Sequence, residues 1–124
     1  MRRALLILPA LLLTATAASA QPRSEQRCGW YDNPTPGNHW LTDSSRQWLL
    51  GAQGGYQARG MDEMPDLTTS GWVNTNGNYG YGCACMQVRT DPRNSRITQL
   101  YSARAVPLAQ CRNDRRLPRR PARR

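Results

Sequence analysis

The chain of 124 residues has no lysine, no phenylalanine and a single histidine, His39. Each absence narrows the chemistry. Without lysine there is no GK[ST] ending for a phosphate loop. Gly51, Gly54, Gly55 and Gly60 also miss G-x-G-x-x-G spacing, so a nucleotide phosphate cradle is excluded. A serine triad would have to use His39 with Asp43 and Ser44 or Ser45. In an extended segment positions 39 and 43 lie about 13 Å apart, too far for the base to touch its orienting acid. The lack of phenylalanine leaves tryptophan and tyrosine as the whole aromatic complement, each with a flat face and a polar handle. Past the N-terminal region, no apolar run approaches the ~20 residues that span a hydrocarbon core, so no transmembrane segment is expected in the mature chain.

The N-terminus reads MRRALLILPALLLTATAASA, two arginines followed by an apolar run and then small residues. This is the layout of a secretory signal peptide over residues 1–20, cleaved after Ala18-Ser19-Ala20. A membrane anchor is the competing reading, but the run is too short and Pro9 interrupts it. No cysteine stands at the cleavage point to carry lipid, so a soluble periplasmic or secreted product is expected.

Cys28, Cys83, Cys85 and Cys111 form an even set in a short exported chain, which reads as a disulfide framework. In a strand Cys83 and Cys85 project from the same face and cannot easily bond to each other, so each should pair with a distant partner. Two pairings are open, 28–83 with 85–111 and 28–85 with 83–111. Either ties one central strand to both ends of the globular part. The loops closed, about 55 and about 27 residues, correspond to roughly 4 and 3.5 kcal/mol in the chain-entropy model. A redox C-x-C would need a thiolate of depressed pKa, and only Arg89 nearby is cationic. Zinc usually draws on two close cysteine pairs, whereas two of these cysteines are isolated. No metal or cofactor is expected.

Strand signals fall in two blocks. In HWLTDSSRQWLL, residues 39–50, Ser44-Ser45 can turn the chain, which predicts a hairpin with Asp43 facing Arg46 and Leu41 facing Trp48. GWVNTNGNYGYG carries Asn76-Gly77, the composition of a type I′ turn, which predicts Trp72 opposite Tyr81 on the face of Cys83 and Cys85. The strand runs to about Thr90, turns through DPRNS and returns over residues 96–106, where a short helix is the alternative. The expected fold is all-β: a small disulfide-stapled meander, sandwich or partly open barrel of about five strands. Residues 21–26 read as a linker and 27–111 as one domain. Residues 112–124, with seven arginines, two prolines and no aromatic, read as a disordered tail carrying most of the charge of the mature chain.

RCGWYDNPTPGNHWLTD, QGGYQARGMDEMPD, NTNGNYGYGCACMQV and VPLAQCR together resemble a family of short secreted bacterial proteins classified only as a domain of unknown function. The likeness runs from about Arg27 to Arg112. It implies export, a compact domain and shared cysteines, and it carries no activity.

Acid pairs for glycoside chemistry would have to come from Asp62, Glu63 and Asp66, which read as solvated loop acids. Asn74, Asn76 and Asn78 alternate like calcium ligands, but the glycine and glutamate positions of such a loop are not met. Two binding features stand out. One is a glycan or peptide face built from Trp30, Tyr31, Trp40 and Tyr56 with Asn33, Asn38 and Gln53. The other is an anion-binding tail, Arg112, Arg115, Arg116, Arg119, Arg120, Arg123 and Arg124, directed at an anionic envelope surface and not at nucleic acid. A coding bias toward arginine is the plainer explanation of that tail. The leading expectation is a non-enzymatic binding domain contacting an envelope component or another protein. The alternative is a small hydrolase or inhibitor-like factor acting on cell-wall material.

Overall fold

The computed structural model of the protein describes residues 10–15 and 24–120. Most of the expected signal peptide with its Ala18-Ser19-Ala20 site, residues 21–23 of the expected linker, and Arg123 and Arg124 lie outside that description. Among the described residues no helix is long and apolar enough to cross a membrane.

The longest element, β5 (Tyr79–Asp91), organises the rest. Its residues alternate as a strand requires: Ala84, Met86 and Val88 point into the main core, while Tyr81, Cys83 and Cys85 point to the other side. Along one edge β1 (Glu25–Asn33) pairs antiparallel with residues 80–88. The opposite edge takes β6 (Arg96–Val106) over residues 83–91 and the short β4 (Val73–Asn76) at Tyr79–Tyr81. β2 (His39–Thr42) joins β1, and β3 (Gln47–Gly51) joins β2. The ring closes where β3 meets β6 in parallel through the single pair Leu49 and Arg96. Residues 56–59 fill the rest of that seam: Ala58 N–H donates to the Leu50 carbonyl and Leu100 N–H to the Arg59 carbonyl. The sheet order is therefore β1-β2-β3-β6-β5 and back to β1, with β4 appended, a small partly open barrel of six strands where about five were expected. Residues 96–106 are strand and not helix because Ile97, Leu100 and Val106 are buried while nine residues of the return pair with β5. The expected linker is partly structured as well, since β1 begins at Glu25.

The Ser44-Ser45 hairpin forms as expected, Leu41 opposite Trp48, with Asp43 N–H donating to the Arg46 carbonyl. Serine pairs are not favoured turn residues, and the buried carboxylate of Asp43 supplies what they lack. Its Oδ1 accepts from the backbone N–H of Ser45 and Arg46 and from the Ser45 hydroxyl; its Oδ2 accepts from Arg27 Nη1 at 2.7 Å and Trp48 Nε1 at 3.0 Å. Burial pushes the Asp43 carboxyl upward, but these donors outweigh it and hold the group at about 2.

The β4–β5 hairpin differs from expectation by one residue. Its two loop residues are Gly77 and Asn78, Asn76 pairs Tyr79, and an irregularity between Asn74 and Asn76 places Val73 opposite Tyr81. A shift of one residue moves a strand's side chains to the other face. Trp72 accordingly leaves the cysteine face and packs from the core side, 5.8 Å from Tyr31, with its ring over Gly82, where a Cβ would come within 3.0 Å of Cε3. Gly29 permits a second close approach, since a Cβ there would lie 2.0 Å from the Thr42 carbonyl oxygen.

Leu41, Trp48, Leu50, Met86, Val88 and Ile97 are fully buried inside the ring. A second, smaller core lies on the outer face of β1 and β5, where Trp30, Cys83, Cys85, Val106, Cys111 and Leu117 meet under α1 (Leu108–Arg112) and the residues after it. The two disulfides are Cys28–Cys85 and Cys83–Cys111, one of the two pairings left open by the sequence, and among the described residues no cysteine is free. The first staples directly opposed residues of β1 and β5; the second fastens α1 to β5.

The C-terminal segment corrects the expectation of disorder as far as residue 120. Leu117 is 7% exposed, Trp30 Nε1 donates to the Pro118 carbonyl at 2.9 Å, and Arg120 forms a two-pronged ion pair with Asp32. One buried leucine, one covalent anchor at Cys111 and one neutralised charge suffice to order a stretch whose composition alone argues against it.

Candidate functional site

Residues 112–120 leave α1 and fold back over Trp30. Asn113 N–H donates to the Ala109 carbonyl and Leu117 N–H to the Asp114 carbonyl, which turns the chain so that Leu117 drops into the second core. Around that anchor the arginines divide by role. Arg116 donates to both carboxylate oxygens of Asp114 at 3.1 Å, and this contact lowers the Asp114 carboxyl and raises the Arg116 guanidinium from their ordinary values. Arg120 is held by Asp32 and lies 4.8 Å from the Tyr81 ring and 5.5 Å from the Trp30 ring, two cation–π contacts that add to the ion pair. Arg112, Arg115 and Arg119 are exposed and make no hydrogen bond or ion pair among the described residues.

These three unpaired arginines line one pocket together with Arg120; Trp30, Cys111 and Leu117 form its apolar side, and Asp114, paired with Arg116, is the one acid in its wall. The pocket combines an excess of positive charge, planar donors suited to phosphate, sulfate or carboxylate, and an apolar wall. Its backbone is anchored by the Cys83–Cys111 bond and by Leu117, so the cations are carried on an ordered surface up to Arg120.

The aromatic and amide set singled out from the sequence is not brought to one face. Trp30 and Tyr31 are consecutive on β1 and point to opposite sides, Trp30 into the second core and Tyr31 into the main one, both buried. Trp40 is half-buried, on the opposite side of β2 from the buried Leu41. Tyr56 donates its hydroxyl to the Ile97 carbonyl, and the Arg96 guanidinium covers its ring at 4.5 Å. Asn33, Asn38 and Gln53 do come together, but in a structural role: Asn33 Nδ2 donates to the Thr35 and Asn38 carbonyls, and Asn38 Oδ1 accepts from the Gln53 N–H. They fasten the β1–β2 loop to the loop after β3.

His39 faces Tyr31, whose hydroxyl stands 2.7 Å from Nδ1. Burial lowers the histidine's pKa and, with the Asp32 charge, raises that of Tyr31, so at neutral pH the pair is a neutral phenol and a neutral imidazole joined through Nδ1. Asp66 accepts from the Thr68 N–H and hydroxyl and thereby caps the 3₁₀ turn Leu67–Thr69, while Asp62 and Glu63 are exposed in the turn Met61–Glu63. Among the described residues no cluster of three or more histidines, cysteines or carboxylates is arranged to hold a metal ion.

Leu117 and Pro118, which line the pocket, and Asp32, which holds Arg120, were not visible as site residues in the sequence. The only local signal was a lone leucine inside a run of arginine and proline. Fold and site together define an all-β, disulfide-stapled domain that builds a cationic C-terminal segment into its own surface. The chain belongs to the family described as protein of unknown function (DUF4087), whose model matches residues 22–118. That match passes Arg112, where the sequence likeness was expected to stop, and takes in Arg115, Arg116, Leu117 and Pro118. No curated protein and no solved structure matches the chain.

Proposed function

We propose that this protein is a non-enzymatic binding domain of an exported compartment that contacts an anionic component of the cell envelope through Arg112, Arg115 and Arg119. The observation that carries the reading is the placement of these three unpaired arginines on the wall of one pocket, on a segment fixed by a disulfide and a buried leucine. Folding has already ordered this backbone, which lowers the entropic cost of engaging a polyanion. The two disulfides support an oxidising location. Partly open five-stranded barrels also include scaffolds that bind oligomers on their surface, an analogy of architecture alone.

The test is cosedimentation of the oxidised protein with vesicles of phosphatidylglycerol and phosphatidylcholine, compared with phosphatidylcholine alone, at low and high salt. Binding is expected only with the anionic lipid and is expected to fall as salt rises. The triple variant Arg112→Gln, Arg115→Gln, Arg119→Gln should lose most of it while keeping its melting temperature. Retention that is indifferent to salt or to the triple substitution would refute the reading.

A further inference from the structure

A second recess, separate in its residues from the arginine pocket, lies between the 3₁₀ turn Leu67–Thr69 and the β4–β5 hairpin. Its lining is Thr68, Gly71, Trp72, Asn74 and Asn78. None of these residues carries a charge.

Trp72 is half-buried and fixed from three sides. Its Nε1 donates to the Asn78 carbonyl at 3.0 Å, its ring carbons rest on Gly82, and Tyr31 tilts against it at 44°. An aromatic plate held this way loses little freedom when a ligand settles on it. Beside it Asn74 and Asn78 are exposed, and their side-chain amides make no hydrogen bond among the described residues; the neighbouring Asn76, by contrast, donates to the Pro34 carbonyl. Each free carboxamide offers two donors and one acceptor. Thr68 has its hydroxyl committed to Asp66, so the available polar groups of the recess are the two amides.

A fixed indole flanked by two unpartnered carboxamides, with no cation in the lining and Asp66 standing behind Thr68, matches a neutral ligand that has an apolar side and a rim of hydroxyl or acetamido groups. We infer that the Trp72 recess is a binding site for a neutral pyranose unit of a glycan, its apolar side resting on the part of the indole open to the recess and its rim hydrogen-bonded to Asn74 and Asn78. An acidic ligand would meet no counter-charge here, which separates this site in chemistry from the arginine pocket. The two assignments stand or fall independently.

The experiment is a titration of the ¹⁵N-labelled oxidised protein with two neutral probes, tri-N-acetylchitotriose and maltotriose, following the Trp72 indole N–H and the Asn74 and Asn78 side-chain NH₂ resonances. At least one probe should shift all three groups, and the pair of probes shows whether the acetamido group is required. Trp72→Leu should weaken binding about tenfold. Because Trp72 also packs on the core, the double variant Asn74→Ser, Asn78→Ser, which alters only exposed and unbonded side chains, provides the second reading and should likewise weaken binding at an unchanged melting temperature. The Arg112, Arg115, Arg119 triple variant should bind the sugar normally. The assignment is overturned if neither probe moves these resonances, or if the double asparagine variant binds with wild-type affinity.

Discussion

Asp32 and Arg120 lie 88 residues apart in sequence and meet in an ion pair with both guanidinium Nη atoms 2.5 Å from a carboxylate oxygen. The contact joins the outer face of β1 to the last described residue of the chain, above Trp30 and Tyr81. Only about a quarter or less of either side chain is exposed.

Substituting Arg120→Ala removes the ion pair and both ring contacts but leaves Leu117 and the Cys83–Cys111 bond in place. A pair of intermediate burial lies between the exposed and buried limits, so the expected loss is about 1–2 kcal/mol, read from urea denaturation. Limited trypsin digestion should at the same time cut more readily at Arg115 or Arg119. No change in either measurement would mean that the segment is held by its leucine and disulfide alone.

His39 supplies a pH dependence whose sign is fixed. Its folded pKa lies below the ordinary value because burial disfavours the charged form. The stability it contributes is therefore fully present above the unfolded pKa of about 6.5 and is lost as pH falls toward the lower folded value. The urea midpoint should decrease as pH is taken from neutrality into that window, and His39→Gln should flatten this part of the profile. A midpoint that rises on acidification through this range would contradict the assignment.

The disulfides should not be equivalent. Cys28 and Cys85 are already neighbours across β1 and β5, whereas Cys83–Cys111 is the covalent tie of a five-residue helix that otherwise rests on Leu108 and on the Gln110 contact with Cys85 Sγ. Replacing Cys83 and Cys111 together by serine should release α1 and the arginine segment, expose Trp30 and red-shift its fluorescence, while the ring of β1 to β6 persists. The stability cost in the chain-entropy picture is about 3.5 kcal/mol. Coincident loss of sheet circular dichroism in that variant would show that the second core supports the first.

Several of these relationships could be read in the sequence and others could not, for identifiable reasons. The β2–β3 hairpin was legible because two short apolar segments, Trp40-Leu41 and Trp48-Leu49-Leu50, flank the polar run Thr42–Gln47 with Ser44-Ser45 at its centre. The all-β class followed from the density of such segments, while closure into a ring stood as one of three arrangements, beside a meander and a sandwich. The fate of NTNGNY was not, since Asn76-Gly77 and Gly77-Asn78 are both acceptable two-residue loops one register apart. The decision falls to the space above Gly82 that receives the Trp72 ring, which is tertiary information. The aromatic face failed because adjacency in sequence brought Trp30 and Tyr31 together on paper and the pleat sends them apart. Order in the C-terminal segment was hidden for a different reason: its single apolar residue, Leu117, finds its partners on β1 and β5, far away along the chain.

The closure of the ring at Leu49 and Arg96 has a mechanical corollary. Both covalent braces sit on the side where β1, β5 and α1 meet, and the joint between β3 and β6 has one ladder pair plus the inserted residues 56–59. A hoop bolted on one side and clasped on the other gives way at the clasp. The amides of Leu49, Ala58 and Leu100 should therefore exchange with deuterium ahead of those along β5, through an opening that leaves the braced half of the molecule intact.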